Sequence, residues 1–328
     1  MMANQNNNGS TTATENNNEN KRRRNKRLLR RSFNIVGCVA FVTGTNNPKG
    51  MGRAFVNALL REGAKTIYAT VRNNDKIHQL DDLVKSSDGR VVVVVLDVVT
   101  DIDTVRTLGI QYPDVNLVIN NAGASFSGDG GNTLELDPEK AKKEMEVNYF
   151  APLRVVQAFA SNLKKATSGS NCENDDKNKT NKKKSVRSTN NDDDESETDD
   201  YSSASAAALV TVASILSFRN VWATGYGCSK TALHYLTDAH RRDLGGDDNE
   251  YNTLVIGVYP GAIDTDMNAK YEYKKYSSAS VADELMIALK EGKEHLFPDP
   301  YAKKHINDYL KRSNNTLQQQ QQQQKDII

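Results

Sequence analysis

Short apolar runs alternate with longer stretches of helical spacing over much of the chain. Cys38–Val42 is one such run, and Ala54–Leu60 follows with apolar residues at helical intervals. Runs at Thr66–Thr70, Val91–Leu96, Val115–Ile119, Ala208–Ala213 and Leu254–Tyr259 read as further strands. Helical patterning lies between them, at about Lys76–Lys85, Asp103–Gly109, Glu139–Leu163, Thr224–Leu244 and Ala279–Leu289. The valine run at 91–96 lacks polar alternation, which predicts a parallel strand buried on both faces. Strand–helix alternation at this spacing predicts an α/β fold: a doubly wound parallel sheet between two helix layers, α/β/α, with right-handed crossovers. Ligands of such sheets bind beyond the carboxyl ends of the strands, so the chemistry belongs just after the apolar runs.

Three polar blocks interrupt the pattern. Residues 1–33 are rich in Asn, Ser and Thr and turn basic from Lys21 to Arg31; residues 168–204 are Lys/Asn-rich and then acidic; Gln318–Gln324 is a homopolymer. None carries enough apolar surface to offset chain entropy, so all three read as disordered. The chain thus divides into a basic arm (1–33), one domain (34–312) interrupted by the 168–204 insertion, and a Gln-rich tail (313–328). The ordered remainder of roughly 240 residues is one domain in size.

Composition then narrows the classes. The hydrophobic fraction is 37% and the mean hydropathy is −0.66, a normal core diluted by the polar blocks. The net charge of +1 calls for no polyanion, so no stable nucleic-acid partner is expected. No apolar run approaches the roughly 18 residues of a membrane span. Cys38, Cys172 and Cys228 are odd in number and form no CxxC pair, and the five histidines show no ligand spacing; neither a disulfide framework nor a metal site is expected. A reduced cytoplasmic setting fits, with the basic arm leaving nucleus or organelle open.

The first strand runs into Gly44-Thr45-Asn46-Asn47-Pro48-Lys49-Gly50-Met51-Gly52 before a helix. A glycine-rich turn lets backbone approach a pyrophosphate at a helix N-terminus, although glycines can also merely shape a strand-to-helix turn. The second strand ends at Arg72, where an NAD-binding fold would place an acid for the ribose hydroxyl. With Lys49 in the turn, Arg72 favours the extra phosphate of NADP(H) by charge pairing; the alternative is two solvated cations.

Tyr226-Gly-Cys-Ser-Lys230 opens a helix, and a spacing of four puts both side chains on one face. An unperturbed phenol has a pKa of about 10, and a neighbouring ammonium favours the phenolate, which makes tyrosine a usable acid/base. Such a pair also occurs on ordinary helices. Ser214, at the end of its strand, could hydrogen-bond a substrate oxygen, with Ser217 as a reserve. Asn120-Asn121-Ala122-Gly123 closes another strand. Asn148 sits in an apolar helical stretch, either as a satisfied core amide or as the holder of a relay water to Lys230.

Taken in order, these motifs resemble the short-chain dehydrogenase/reductase family, in the form of a compact single-domain NADP-type member. They are the TG…GxG turn, Asp97 after the third strand, NNAG, the helix Asn148, Ser214, YxxxK, and Pro260-Gly261…Thr265. The resemblance implies a Rossmann-like fold and a Ser214/Tyr226/Lys230/Asn148 tetrad. It also implies cofactor contacts from Gly44, Lys49, Gly50, Met51, Gly52, Arg72, Asp97, Asn121, Ala122, Gly123, Tyr226, Lys230, Pro260, Gly261, Ile263 and Thr265. The expected activity is NADP(H)-dependent interconversion of a small-molecule carbonyl and alcohol; the alternative is an NADP-binding sensor or scaffold without turnover. The family commonly pairs through the Glu139–Leu163 and Thr224–Leu244 helices, which implies a homodimer or homotetramer. The glycine-rich turn is two residues longer than the usual pattern, and the Ser-to-Tyr spacing about one residue short.

Overall fold

The computed structural model describes residues 32–128, 133–165, 205–219, 223–245, 253–272 and 274–326. The arm as far as Arg31 and the 168–204 insertion lie outside them. Seven parallel strands form one sheet: β1 (Val39–Val42), β2 (Thr66–Val71), β3 (Val91–Val95), β4 (Leu117–Asn120), β5 (Ala207–Val212), β6 (Thr253–Val258) and β7 (His295–Leu296). Their spatial order is β3-β2-β1-β4-β5-β6-β7, so the chain reverses direction of winding between β1 and β4. That switch point opens the crevice in which ligands of such folds bind.

Strand side chains alternate between two cores. Ala40 and Val42 face one layer and Val39 and Phe41 the other, as the period of two requires. The first layer packs helix α1 (Met51–Arg61), short α2 (Asp81–Ser86) and α7 (Ser278–Glu291), through Phe55, Leu59, Leu83, Leu285 and Leu289. The second packs α3 (Ile102–Gln111) and α5 (Ala151–Lys165), through Val105, Leu108, Val155, Phe159 and Leu163. Helix α4 (Pro138–Met145) runs into α5 through a π-helical turn at Glu146–Phe150. Helix α6 (Thr224–Gly245) carries the Tyr/Lys motif, and α8 (Pro300–Asp326) follows β7.

The expected Rossmann-like three-layer sheet is present, with four local differences. The valine run forms β3 at the sheet edge, where Val92 and Val95 are half-exposed rather than buried. A run apolar on both faces does not distinguish a central strand from an edge strand. Lys76–Lys85 is a 3₁₀ segment, Asn74–Leu80, before α2. The backbone of α8 is helical as far as Asp326, where a structureless tail was expected. Gln is a good helix former, and the exposed Lys311, Arg312 and Asn314–Thr316 show that this extension buries little.

The fourth difference concerns the arm. Phe33, assigned from its polar neighbours to the disordered segment, is 2% exposed and belongs to the first core layer. Its N–H donates to the Leu289 carbonyl at 2.8 Å, and it bridges Ser205 beside β5. Phe33 is therefore part of the packed core. Phe33→Ala is expected to cost about 3–5 kcal/mol by leaving a cavity. A urea-unfolding series checks this; an unchanged midpoint would place Phe33 outside the cooperative unit.

Candidate active site

The carboxyl ends of β1, β4, β5 and β6 surround a cleft of about 490 Å³. Its lining includes Gly44, Gly50 and Met51 from the first turn, and Arg72 and Asp97 beyond β2 and β3. Asn121–Gly123, Ser214, Tyr226, Lys230, Pro260, Gly261, Ile263 and Thr265 complete it. Fifteen residues nominated from the sequence thus meet at one cavity.

The first turn is built to leave a helix end open. Gly44 has φ +71°, and a Cβ there would lie 2.9 Å from the Ala122 Cα. A Cβ on Gly52 would lie 2.3 Å from the Gly44 carbonyl oxygen, so Gly52 allows close packing behind the cleft rather than lining it. Helix α1 starts with no side-chain cap and no acidic residue in its first turn. Its N–H groups and the positive end of its dipole therefore remain available to an anion.

Asn121 braces this arrangement. Its Nδ2 donates to the carbonyls of Thr43 and Gly44 at 2.9 and 3.0 Å. The Thr43 hydroxyl accepts from the N–H groups of Asn121 and Ala122. From the lengthened turn, Asn47 Nδ2 donates to Asp266 Oδ2 at 3.0 Å.

The two predicted cations separate. Arg72 lines the cleft, largely exposed, with Nε 3.9 Å from an Asp97 carboxylate oxygen. Lys49 instead lines a shallow neighbouring groove with Arg61, Asp264 and Asp283. Its carbonyl accepts from the Ser278 hydroxyl at 2.7 Å, which pins the longer turn so that this side chain turns away.

Tyr226 and Lys230 share one helix face, with Nζ 5.7 Å from the centre of the phenol ring. Lys230 is 3% exposed and donates to the Val212 carbonyl at 2.9 Å. Burial holds its pKa down at about 7. Burial likewise pushes the Tyr226 phenol up to about 12; the Ser214 hydrogen bond opposes this rise and the Glu144 charge adds to it. Desolvation thus outweighs the lowering by lysine expected from spacing alone. Ser214 Oγ accepts from the Leu216 N–H at 3.2 Å, leaving its proton free to donate toward the phenol. Ser217 is committed elsewhere: its hydroxyl donates to the Lys230 carbonyl at 2.8 Å.

Asn148 lies in the π-helical turn and is fully buried. Such turns are often found at functional sites. Its Oδ1 accepts from the Ala124 N–H at 3.0 Å. Its Nδ2 donates to the Ala124 carbonyl at 2.8 Å and to Ser229 Oγ at 2.9 Å. Both amide donors are spent, so a water could be held only through Oδ1. Sequence reasoning missed Glu144, a fully buried carboxylate behind Tyr226. Its partners lie in the loop after β4, at a separation no local pattern reveals.

The profile of the family described as short chain dehydrogenase matches residues 38–171 and 198–275, more than half of the chain. A short chain dehydrogenase of Penicillium aethiopicum is 30% identical over 135 residues, 39% of this chain and 51% of that protein. The chain spans about half the length of the first such relatives it matches. A short-chain dehydrogenase of Penicillium crustosum is 23% identical over 292 residues, 86% of each chain. A crystal structure of a short chain dehydrogenase from Burkholderia cenocepacia, in complex with NADP, is 28% identical with a TM-score of 0.65, covering 88% of this chain and 98% of that one. Matched motifs, sheet order and cleft agree: this chain belongs to the short-chain dehydrogenase family of oxidoreductases.

Proposed function

We propose that the chain is an NADP(H)-dependent oxidoreductase interconverting a carbonyl and an alcohol, with Tyr226 as general acid/base. The observation that carries this is the convergence of Ser214, Tyr226 and buried Lys230 on one cleft that begins at an uncapped helix. When bound, NADP(H) supplies or accepts the hydride. Gly44, Gly50 and Met51 would hold its pyrophosphate at the start of α1, Arg72 its 2′-phosphate, and Asp97 its adenosine. Asn121–Gly123 and Pro260–Thr265 would flank the nicotinamide.

In reduction, Tyr226 Oη gives its proton to the carbonyl oxygen, which Ser214 Oγ steadies by a hydrogen bond. A phenol with a pKa of about 12 stays loaded with that proton at neutral pH. Lys230 Nζ, half-protonated near pH 7, stabilises the phenolate left behind. Asn148 Oδ1 can hold a water from which that proton is replaced. The NADP complex of the Burkholderia relative supports the cofactor assignment, as does Arg72 in place of an acid.

Tyr226→Phe is expected to lower kcat by roughly 10²–10⁴-fold, the usual weight of general acid–base catalysis. NADPH affinity should stay within a few fold. Steady-state assays on a carbonyl panel and fluorescence titration check both; undiminished turnover would falsify the assignment. Arg72→Ala is expected to reduce kcat/KM with NADPH by about 10- to 100-fold, one charge-assisted hydrogen bond, and to leave NADH little changed. Equal losses with both cofactors would remove Arg72 from phosphate recognition.

Lys230 gives a pH signature in the cofactor-free protein. Its pKa falls from 10.5 to about 7 on folding, so between these values folding releases a proton. Its contribution to stability therefore rises with pH from about 7 to about 10 and is lowest below that window. Lys230→Met removes this dependence. The Tm of the variant relative to wild type should be highest below pH 7 and decline as pH rises toward 10. Thermal unfolding from pH 6 to 9.5 reads this; a constant difference would show that the amine is not desolvated.

A further inference from the structure

The proposed proton transfers leave Glu144 unused, although its carboxylate is fully buried. Its oxygens are met by hydrogen-bond donors. Oε1 accepts from the N–H groups of Phe126 and Ser127 at 2.7 and 2.9 Å, and from the Ser127 hydroxyl at 2.7 Å. That hydroxyl is also 2.8 Å from Oε2, and the Ser125 hydroxyl lies 3.4 Å from Oε1. Burying a carboxylate is costly unless such donors converge on it.

The other side of the carboxylate is equally constrained. A Cβ on Gly225 would fall 2.3 Å from Glu144 Oε2 and 3.0 Å from Ser127 Oγ. Glu144 is therefore wedged between the 125–127 segment and the first turn of α6, one residue before Tyr226. The segment it holds carries Phe126, whose ring lines the cleft while 43% exposed. Met267, from the segment after β6, lines the same cleft while 46% exposed. Two large apolar side chains from separate loops thus present uncovered surface to one cavity, as a binding groove does.

We propose that Glu144 is a positioning residue that holds Phe126 at the cleft, and that Phe126 and Met267 are apolar jaws selecting an uncharged carbonyl compound with a bulky apolar group beside its C=O. The proposal rests on the carbonyl/alcohol reading above and names its substrate class.

The test compares acetophenone with glyceraldehyde in wild type and in Glu144→Ala, Glu144→Gln, Phe126→Ala and Met267→Ala. Glu144→Ala and both jaw variants should raise KM for acetophenone by roughly tenfold or more, about one apolar contact surface. In the two jaw variants kcat should stay within a few fold, and KM for glyceraldehyde should hardly change in all three. Glu144→Gln keeps one oxygen acceptor and should recover most of the loss. Amide hydrogen exchange should accelerate at residues 125–127 in Glu144→Ala and remain at wild-type rates in β4 and β5. Equal losses for both substrates, or faster exchange throughout the sheet, would make Glu144 a general structural support and overturn the proposal. So would faster exchange at 125–127 with unchanged KM for acetophenone. If wild type turns over neither compound, the catalytic reading fails independently, and calorimetric titration of acetophenone into the NADP⁺ complex still decides. Weaker binding in the alanine variants then supports the jaws, and equal binding rejects them.

Discussion

The contact between Lys230 Nζ and the Val212 carbonyl ties the chemistry to the sheet. It fixes α6 against the carboxyl end of β5. Among the described residues no carboxylate pairs with that amine, so its burial is tolerated by a single carbonyl and by loss of charge near neutrality. The same docking leaves no space at Gly123, where a Cβ would sit 3.2 Å from Nζ and 3.0 Å from Asn148 Oδ1. One helix turn earlier, Tyr226 is delivered beside Ser214 without further adjustment. The Ser214/Tyr226/Lys230 geometry is thus a consequence of where a strand stops.

The π-helical turn at Glu146–Phe150 serves the same junction from the other side. It carries Asn148 into three hydrogen bonds, two to Ala124 and one to Ser229. Ser229 in turn donates to the Tyr226 carbonyl at 2.7 Å. A chain of bonds therefore runs from the loop after β4 to the backbone of Tyr226. Glu144 adds a second, parallel connection between the same loop and the same helix start. Loops bounded by rigid elements in this way can hold a reacting group in place at little entropic cost on binding.

What was legible in the sequence was whatever depends on local spacing. Tyr226 and Lys230 announce their shared face at i and i+4, and Gly44 and Gly50 mark a turn because only glycine suits a close backbone approach. Six of the seven strands follow from apolar runs, whereas two-residue β7 is too short to carry a pattern. Tertiary context decided the remainder. Val92 and Val95 are exposed because of sheet order, Phe33 is buried because Ser205 pairs beside it, and Lys49 turns away because Ser278 holds its carbonyl. Glu144 was illegible because its donors are backbone amides 17 and 18 residues away.

Glu144 and Lys230 bracket Tyr226 with opposed influences. The carboxylate raises the phenol's pKa and burial raises it further, while burial strips charge from the one amine that could lower it. The cofactor-free cleft is thereby biased toward a neutral phenol beside a neutral or singly charged amine. The phenol rests protonated, and the same raised pKa makes that proton harder to release, so a positive charge close to Oη is what would bring it toward the neutral range. The residues that hold the site together are thus also those that set the resting protonation of Tyr226 and Lys230.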